Sequence, residues 1–325
     1  MQRIPLVGVA AVILFSAVLH SVEPGKPSKT AIMAAAFRAI GARNPDSQFR
    51  NPDSLAGRFL RREDLAMLAA NGRDFRREMT LTGEGLTEYL RQSVAIRTNF
   101  VRTVHIDTSM RDCLMGGATQ VVVLGAGLDS RAYRFGAQYR NVTFYEVDFP
   151  PTLKFKTERV RQVLGRIPKD VRYVPVDFTK DDLKTQLEHA GYREQGKTFF
   201  VWEGVVYYIP ESAVRATLQF VADHSAGGSR IIFDYALATN RRINNPGDLF
   251  ARWGEPFVFG FPADGPSRML QDEGLRLVSN FTNGELVKKY AVRPDGTSSL
   301  RPPDTQSADL DDAAFALAEV PRQVR

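Results

Sequence analysis

The stretch Val121-Val122-Val123-Leu124-Gly125-Ala126-Gly127-Leu128-Asp129-Ser130-Arg131 decides the fold. Residues 120–124 form a short run dominated by β-branched side chains, a glycine pair follows, and a helix-like stretch begins at Asp129. That order reads as strand, tight loop, helix. Glycines directly after a strand let backbone approach a ligand closely, and the amides that open the next helix point at the same place. A nucleotide-like ligand is the expected occupant, with a purely structural turn as the competing reading.

The alternation repeats on both sides of this point. Strands are expected at 142–147, 172–176, 198–202 and 230–235, separated by helices at 152–164, 181–190 and 211–224. Upstream, Ser28 or Thr30 can cap a helix over 31–40, with further helical pattern at 63–70 and 85–114. Downstream, 265–273 reads as a helix, and 275–281 and 314–320 as strands. Five strands separated by helices imply an α/β fold, a parallel sheet with helices on both faces, which binds ligands at the carboxyl ends of its strands near the switch point. The stretch 293–309, rich in Pro, Asp, Ser and Thr, is expected to be a long surface loop.

A dinucleotide site calls for G-x-G-x-x-G, and Ser130 stands where the third glycine belongs. The nicotinamide reading is weakened accordingly. The following strand ends in Glu146-Val147-Asp148, about twenty residues past the loop, where an acid accepts hydrogen bonds from ribose hydroxyls. A solvated strand end is the plainer alternative for the same two acids.

Composition bounds the rest. The chain has 325 residues, 43% hydrophobic and 25% charged, enough for a sizeable core and unlike collagenous or disordered sequence. One cysteine, Cys113, excludes an internal disulfide framework, and the four histidines show no metal-ligand spacing. Residues 1–111 hold 16 Lys+Arg against 10 Asp+Glu and the remainder 27 against 27, so the surplus of +6 is N-terminal. Dispersed among acids, it reads as a solvated face, and no nucleic-acid partner is expected. Residues 6–19 are apolar except for Gly8 and Ser16, follow Arg3 and precede a Pro/Gly/Ser break. Fourteen residues fall short of the roughly 20 that span a bilayer and fit an export signal, so an export signal, an uncleaved membrane anchor facing the cytosol and a buried helix all stay open. On this reading residues 1–27 are a targeting segment and linker. Residues 28–325 are then one domain, with a helical cap over 28–115, an α/β core over 116–325 and a lid insertion near 236–268.

Four strings carry a resemblance. LGAGLDSRAYRF (124–135), FYEVDFP (144–150), VPVDF (174–178) and WEGVVYYIP (202–210) fall at four successive strand ends. In that order they resemble the bacterial S-adenosylmethionine-dependent methyltransferases related to leucine carboxyl methyltransferases, from about Ser28 to Val320. The likeness implies a class I methyltransferase-like (Rossmann-like), mostly parallel seven-stranded sheet with helices on both faces and an N-terminal helical extension. It implies S-adenosyl-L-methionine as cofactor, with Gly125, Ala126 and Gly127 cradling its amino-acid portion and Asp148, with Glu146 beside it, taking the ribose. Asp177 and Phe178 would meet the adenine, and Glu203 the amino-acid end. Arg102 matches an arginine that pairs with the cofactor carboxylate, although Arg97 stands in a similar Arg-Thr pair. Lys29 is either a second contact or a surface charge. Tyr208 matches an aromatic near the transferred methyl, with plain core packing as its alternative. The pattern departs where many methyltransferases place an acid before the first glycine, here Val123-Leu124.

Methyl transfer from a sulfonium is an in-line displacement in which the protein mostly positions, and a carboxylate nucleophile requires no general base. No G-x-S-x-G, HExxH or suggestive Cys/His spacing is present. Related enzymes of the family methylate a C-terminal carboxylate on a protein, so the resemblance implies a carboxylate or other small-molecule acceptor as partner, and the absence of those motifs fits it. Arg241 and Arg242 either recognise an anionic acceptor or stay solvated, and the aromatic segment 250–261 is either an apolar lid or core. A nicotinamide-dependent oxidoreductase and a non-catalytic cofactor-binding protein are the competing readings.

Overall fold

The computed structural model describes residues 27–301 and 313–322. The apolar segment expected to act as a signal or anchor lies outside them, as does much of the expected surface loop. Among the described residues no helix is long and apolar enough to cross a membrane.

Among the described residues five α-helices precede the sheet: α1 (Lys29–Gly41), α2 (Ala56–Phe59), α3 (Arg62–Ala70), α4 (Gly83–Gln92) and α5 (Val94–Met115). The single helical pattern expected over 85–114 is two helices. Ser93 stands between them in an extended conformation, and its Oγ accepts from Ile96 N, which restarts the helix as α5.

Strands and helices then alternate as β1 (Gln120–Leu124), α6 (Arg131–Gly136), β2 (Thr143–Asp148), α7 (Pro150–Leu164), β3 (Val171–Pro175) and α8 (Leu183–His189). β4 (Thr198–Trp202), α9 (Glu211–Asp223) and β5 (Arg230–Ala236) follow. The chain ends with α10 (Leu249–Arg252), α11 (Ser267–Asp272), β6 (Arg276–Thr282), α12 (Asn283–Tyr290) and β7 (Ala313–Glu319).

The sheet runs β3-β2-β1-β4-β5-β7-β6, and β7 is antiparallel to both its neighbours. β1 and β4 are buried along their whole length because helices cover both faces. Period-2 alternation sorts their side chains. Val121 and Val123 face α5 and α6, whereas Val122 and Leu124 face α8, α9 and α11. Strand order reverses between β1 and β4, so the glycine loop sits at the switch point.

Two expectations fail at the C-terminal side. α12 was not foreseen, and the first part of the expected loop is anchored: Arg293 pairs with Asp46 and lies over the Phe49 ring, and Leu300 is buried.

Candidate functional site

The glycine loop has the shape its sequence requires. Gly125 and Gly127 have φ of +70° and +41°, conformations that strain an L side chain. A Cβ on Gly125 would lie 2.1 Å from Val205 Cγ2, and one on Gly127 3.0 Å from Ala31 Cβ. Gly125 N and Ala126 N donate to Val147 O at 2.8 and 2.9 Å, which pins the loop to β2. Asp148, at the end of that strand, accepts from Gly127 N through one carboxylate oxygen and from Phe149 N, at 2.6 Å, through the other. Burial pushes its carboxyl up to about 6 despite those two amides. α6 is only six residues long, so the loop amides and Asp148 carry the polarity of this corner, with little from a helix dipole.

Behind the loop runs a chain of ion pairs that the sequence did not reveal. Arg38 pairs with Asp53 (2.8 Å), Arg134 with Asp107 (2.7 Å) and, at 3.9 Å, with Asp53. Arg131 engages Asp107 (2.7 Å), Glu203 (2.7 Å) and Asp129. Arg102 spans Glu203 (2.8 Å) and Asp234 (3.4 Å) and donates to Asn99 Oδ1 at 3.0 Å. Against the cost of burial, Arg102 and Arg131 hold Glu203 down at about 2, so it stays ionised.

Arg38, Arg102, Asp129, Glu203 and Asp234 of this chain line a cavity of about 640 Å³ at the carboxyl ends of β1, β2, β4 and β5. Its wall includes Arg102, the glycine loop, Asp148, Asp177, Phe178, Glu203 and Tyr208. Asp177 accepts from Thr179 N and Oγ1 (3.0 and 2.6 Å), which lowers its pKa despite some burial. Tyr208 stacks edge-on against Tyr207 and Phe257, and burial raises its hydroxyl so that it keeps its proton.

Two expectations need correction. Glu146 is fully buried away from the cavity wall, ion-paired to Lys156 Nζ at 2.8 Å and accepting from Tyr133 OH at 2.7 Å, so it has no face toward a ribose. Lys29 Nζ donates to Trp253 O at 3.1 Å, and its side chain lies outside the wall that Ser28, Thr30 and Ala31 help to form. Arg97 is buried and donates to Arg301 O at 2.8 Å; of the two arginines, Arg102 alone lines the cavity.

The aromatic segment divides between both roles considered for it. Phe250 and Phe257 line the cavity, whereas Trp253 and Phe261 are core. Arg242 lies over both lining rings and, with Arg73 and Arg241, brings guanidinium groups to this wall. Glu255, from the same segment, was missed. It accepts from Lys29 N (2.7 Å), Ser28 Oγ (2.8 Å) and Thr30 Oγ1, tying the insertion to the start of α1. Nothing local in the sequence marks Glu255. Asp234 had a visible signal, an acid near the end of β5 like those ending β2 and β4.

A sequence profile described as leucine carboxyl methyltransferase matches residues 31–222. A Bacillus subtilis protein with the provisional name S-adenosyl-L-methionine-dependent methyltransferase YktD is 27% identical over 225 residues, 67% of this chain and 74% of that one. A Streptomyces coelicolor protein of the same provisional class is 33% identical over 210 residues, 65% of this chain and 69% of its relative. Among solved structures, the N-methyltransferase NodS of Bradyrhizobium japonicum with S-adenosyl-L-homocysteine matches 68% of this chain and 88% of its own at 16% identity and a TM-score of 0.43. The profile spans more than half of the chain, which belongs to the leucine carboxyl methyltransferase family and is an S-adenosylmethionine-dependent methyltransferase.

Proposed function

We propose that the enzyme methylates an oxygen of a small acceptor, a carboxylate first among them, bound between the cofactor and the aromatic–arginine wall. The observation that carries this reading is the juxtaposition of Arg73, Arg241 and Arg242 with Phe37, Phe250 and Phe257 in one cavity continuous with the glycine loop. Guanidinium groups against aromatic faces suit an anionic group on an apolar body.

The residues present fit the cofactor. Its carboxylate would meet Arg102, its ammonium Glu203, its ribose diol Asp148, and its purine Asp177 and Phe178, with the Gly125-Ala126-Gly127 backbone beside its amino-acid portion. When bound, S-adenosylmethionine supplies an electrophilic methyl group. The protein's part is to align the acceptor oxygen and exclude water, for which Tyr207, Tyr208 and Phe257 form the nearest apolar wall. A carboxylate arrives without a proton to lose, so the protonated Tyr208 orients and needs no base partner. Acids also crowd the loop, with Asp129, Asp148 and Glu203 all on the wall, and they would repel the pyrophosphate of a nicotinamide nucleotide. Catalysis on the cytosolic side fits a cofactor made there, with or without a tether. Recovery of a cleaved form outside the inner membrane would overturn that placement.

Transfer of a labelled methyl group to a panel of carboxylic acids, phenols and amines tests the acceptor. A methyl ester releases its label as methanol in base. A base-stable label on nitrogen or on an ether oxygen would sink the carboxylate reading.

A further inference from the structure

We propose that Asp234 lets this site read the charge of its cofactor, favouring the cationic sulfonium over the neutral thioether product. The inference rests on placing the cofactor's amino-acid end at Arg102 and Glu203, and it concerns a residue that neither the motifs nor the likeness assigned.

The buried ion-pair chain holds four guanidinium groups, Arg38, Arg102, Arg131 and Arg134, and five carboxylates, Asp53, Asp107, Asp129, Glu203 and Asp234. It is therefore one positive charge short of balance. S-adenosylmethionine carries a carboxylate, an ammonium and a sulfonium, net +1, and its demethylated product is net zero. Charge complementarity in a site shielded from water is worth more than at the surface.

Asp234 is the terminal and least compensated acid of the chain. Its Oδ1 accepts from Gly204 N at 2.6 Å, but Oδ2 has only Arg102 Nη1 at 3.4 Å and Tyr207 OH at 3.5 Å. Burial raises its pKa, the reverse of what happens to Glu203 beside it. The groups that face it are Arg102 from α5, and Glu203, Gly204 and Tyr207 from the segment after β4. Its carboxylate lies on the cavity wall at the same end as Arg102 and Glu203. The amino-acid end is the same in both forms, so Asp234, only partly offset by Arg102, discriminates through its field at the sulfonium; losing the methyl group removes that charge, and the product is held less firmly than the substrate form.

Calorimetric titration of the full chain with S-adenosylmethionine and with S-adenosylhomocysteine reads the effect as a ratio of dissociation constants. Asp234→Asn should shift that ratio toward the product by about fivefold, and Asp234→Glu should restore it. A merely structural Asp234 would weaken both ligands alike, and an unchanged ratio overturns the proposal. Should Asp234→Asn fail to fold, Asp234→Ser carries the same test: the ratio should again shift toward the product, and an unchanged ratio overturns the proposal. Failure of the underlying placement looks different: Arg102→Gln would leave both affinities unchanged.

Discussion

Asp148 and Glu146 stand two positions apart on β2 and have opposite surroundings. The sequence marked both as acids near a strand end, and that much was legible. Which one meets the cavity was not, because the choice is made by Lys156 and Tyr133, one on α7 and one on α6, which enclose Glu146. Two predictions separate them. Asp148→Ala should weaken S-adenosylmethionine and its product alike by about 1–3 kcal/mol in calorimetry, the cost of lost hydrogen bonds to a charged acceptor. The wild-type affinity should also fall as pH drops below about 6. Ribose hydroxyls that donate to the carboxylate favour its ionised form, so binding lowers the raised pKa and competes with protons. Flat affinity between pH 5 and 7 would remove Asp148 from the ribose. Glu146→Gln, by contrast, leaves Lys156 buried without its counter-charge and should cost about 3–5 kcal/mol of stability in denaturant titration. Cofactor affinity of the folded fraction should barely change.

At the scale of elements, strands were the more readable because β1 to β5 are short runs rich in β-branched or aromatic residues and bounded by turns. Helix boundaries depended on caps. Thr282 and Glu285 form a reciprocal capping box that opens α12, a pattern visible in Thr282-Asn283-Gly284-Glu285 and overlooked because the segment continues directly from β6. Ser93 splits α4 from α5 through one hydroxyl. The start of α1 was anticipated through Ser28, whose Oγ accepts from Ala31 N at 3.0 Å, but its second support, Glu255, comes from more than two hundred residues away. No local reading finds such a partner. Glu255→Ala removes the acceptor of the Lys29 amide and of the Ser28 and Thr30 hydroxyls and should cost about 1–2 kcal/mol. Hydrogen exchange should accelerate at residues 29–33 and leave β1 and β4 protected. Uniform acceleration, or none, would show that the insertion does not hold this helix.

For the molecule as a whole, the question is whether the N-terminal helices, expected as a cap over 28–115 within one domain, could part from the rest. Packing argues against it. One apolar cluster joins Ile32, Ala35 and Phe37 of α1 and Ile96, Phe100 and Val101 of α5 to Phe155 of α7, Trp253 beside α10, Leu286 of α12 and Phe315 of β7. To lift α1 and α5 away would expose the sheet's own side chains, so the loss of apolar burial falls on both parts at once. The chain is longer than those that usually unfold in one step, which makes the expectation a sharp one. Its two tryptophans report on the two sides: Trp202 lies in β4 within the cluster under α8 and α9, and Trp253 packs in the shared cluster with Nε1 donating to Asn71 O at 2.9 Å. Trp253→Phe leaves Trp202 as the reporter, and Trp202→Phe leaves Trp253. The second change also deletes a buried indole N–H that has no partner, which offsets part of the lost packing. In urea, each variant's fluorescence curve should superimpose on its own far-ultraviolet helix signal, because two apolar clusters draw side chains from both parts. A Trp253 transition that precedes the loss of helix signal would mean that the cap parts first, and the shared cluster would then be a docking surface between two independently stable units.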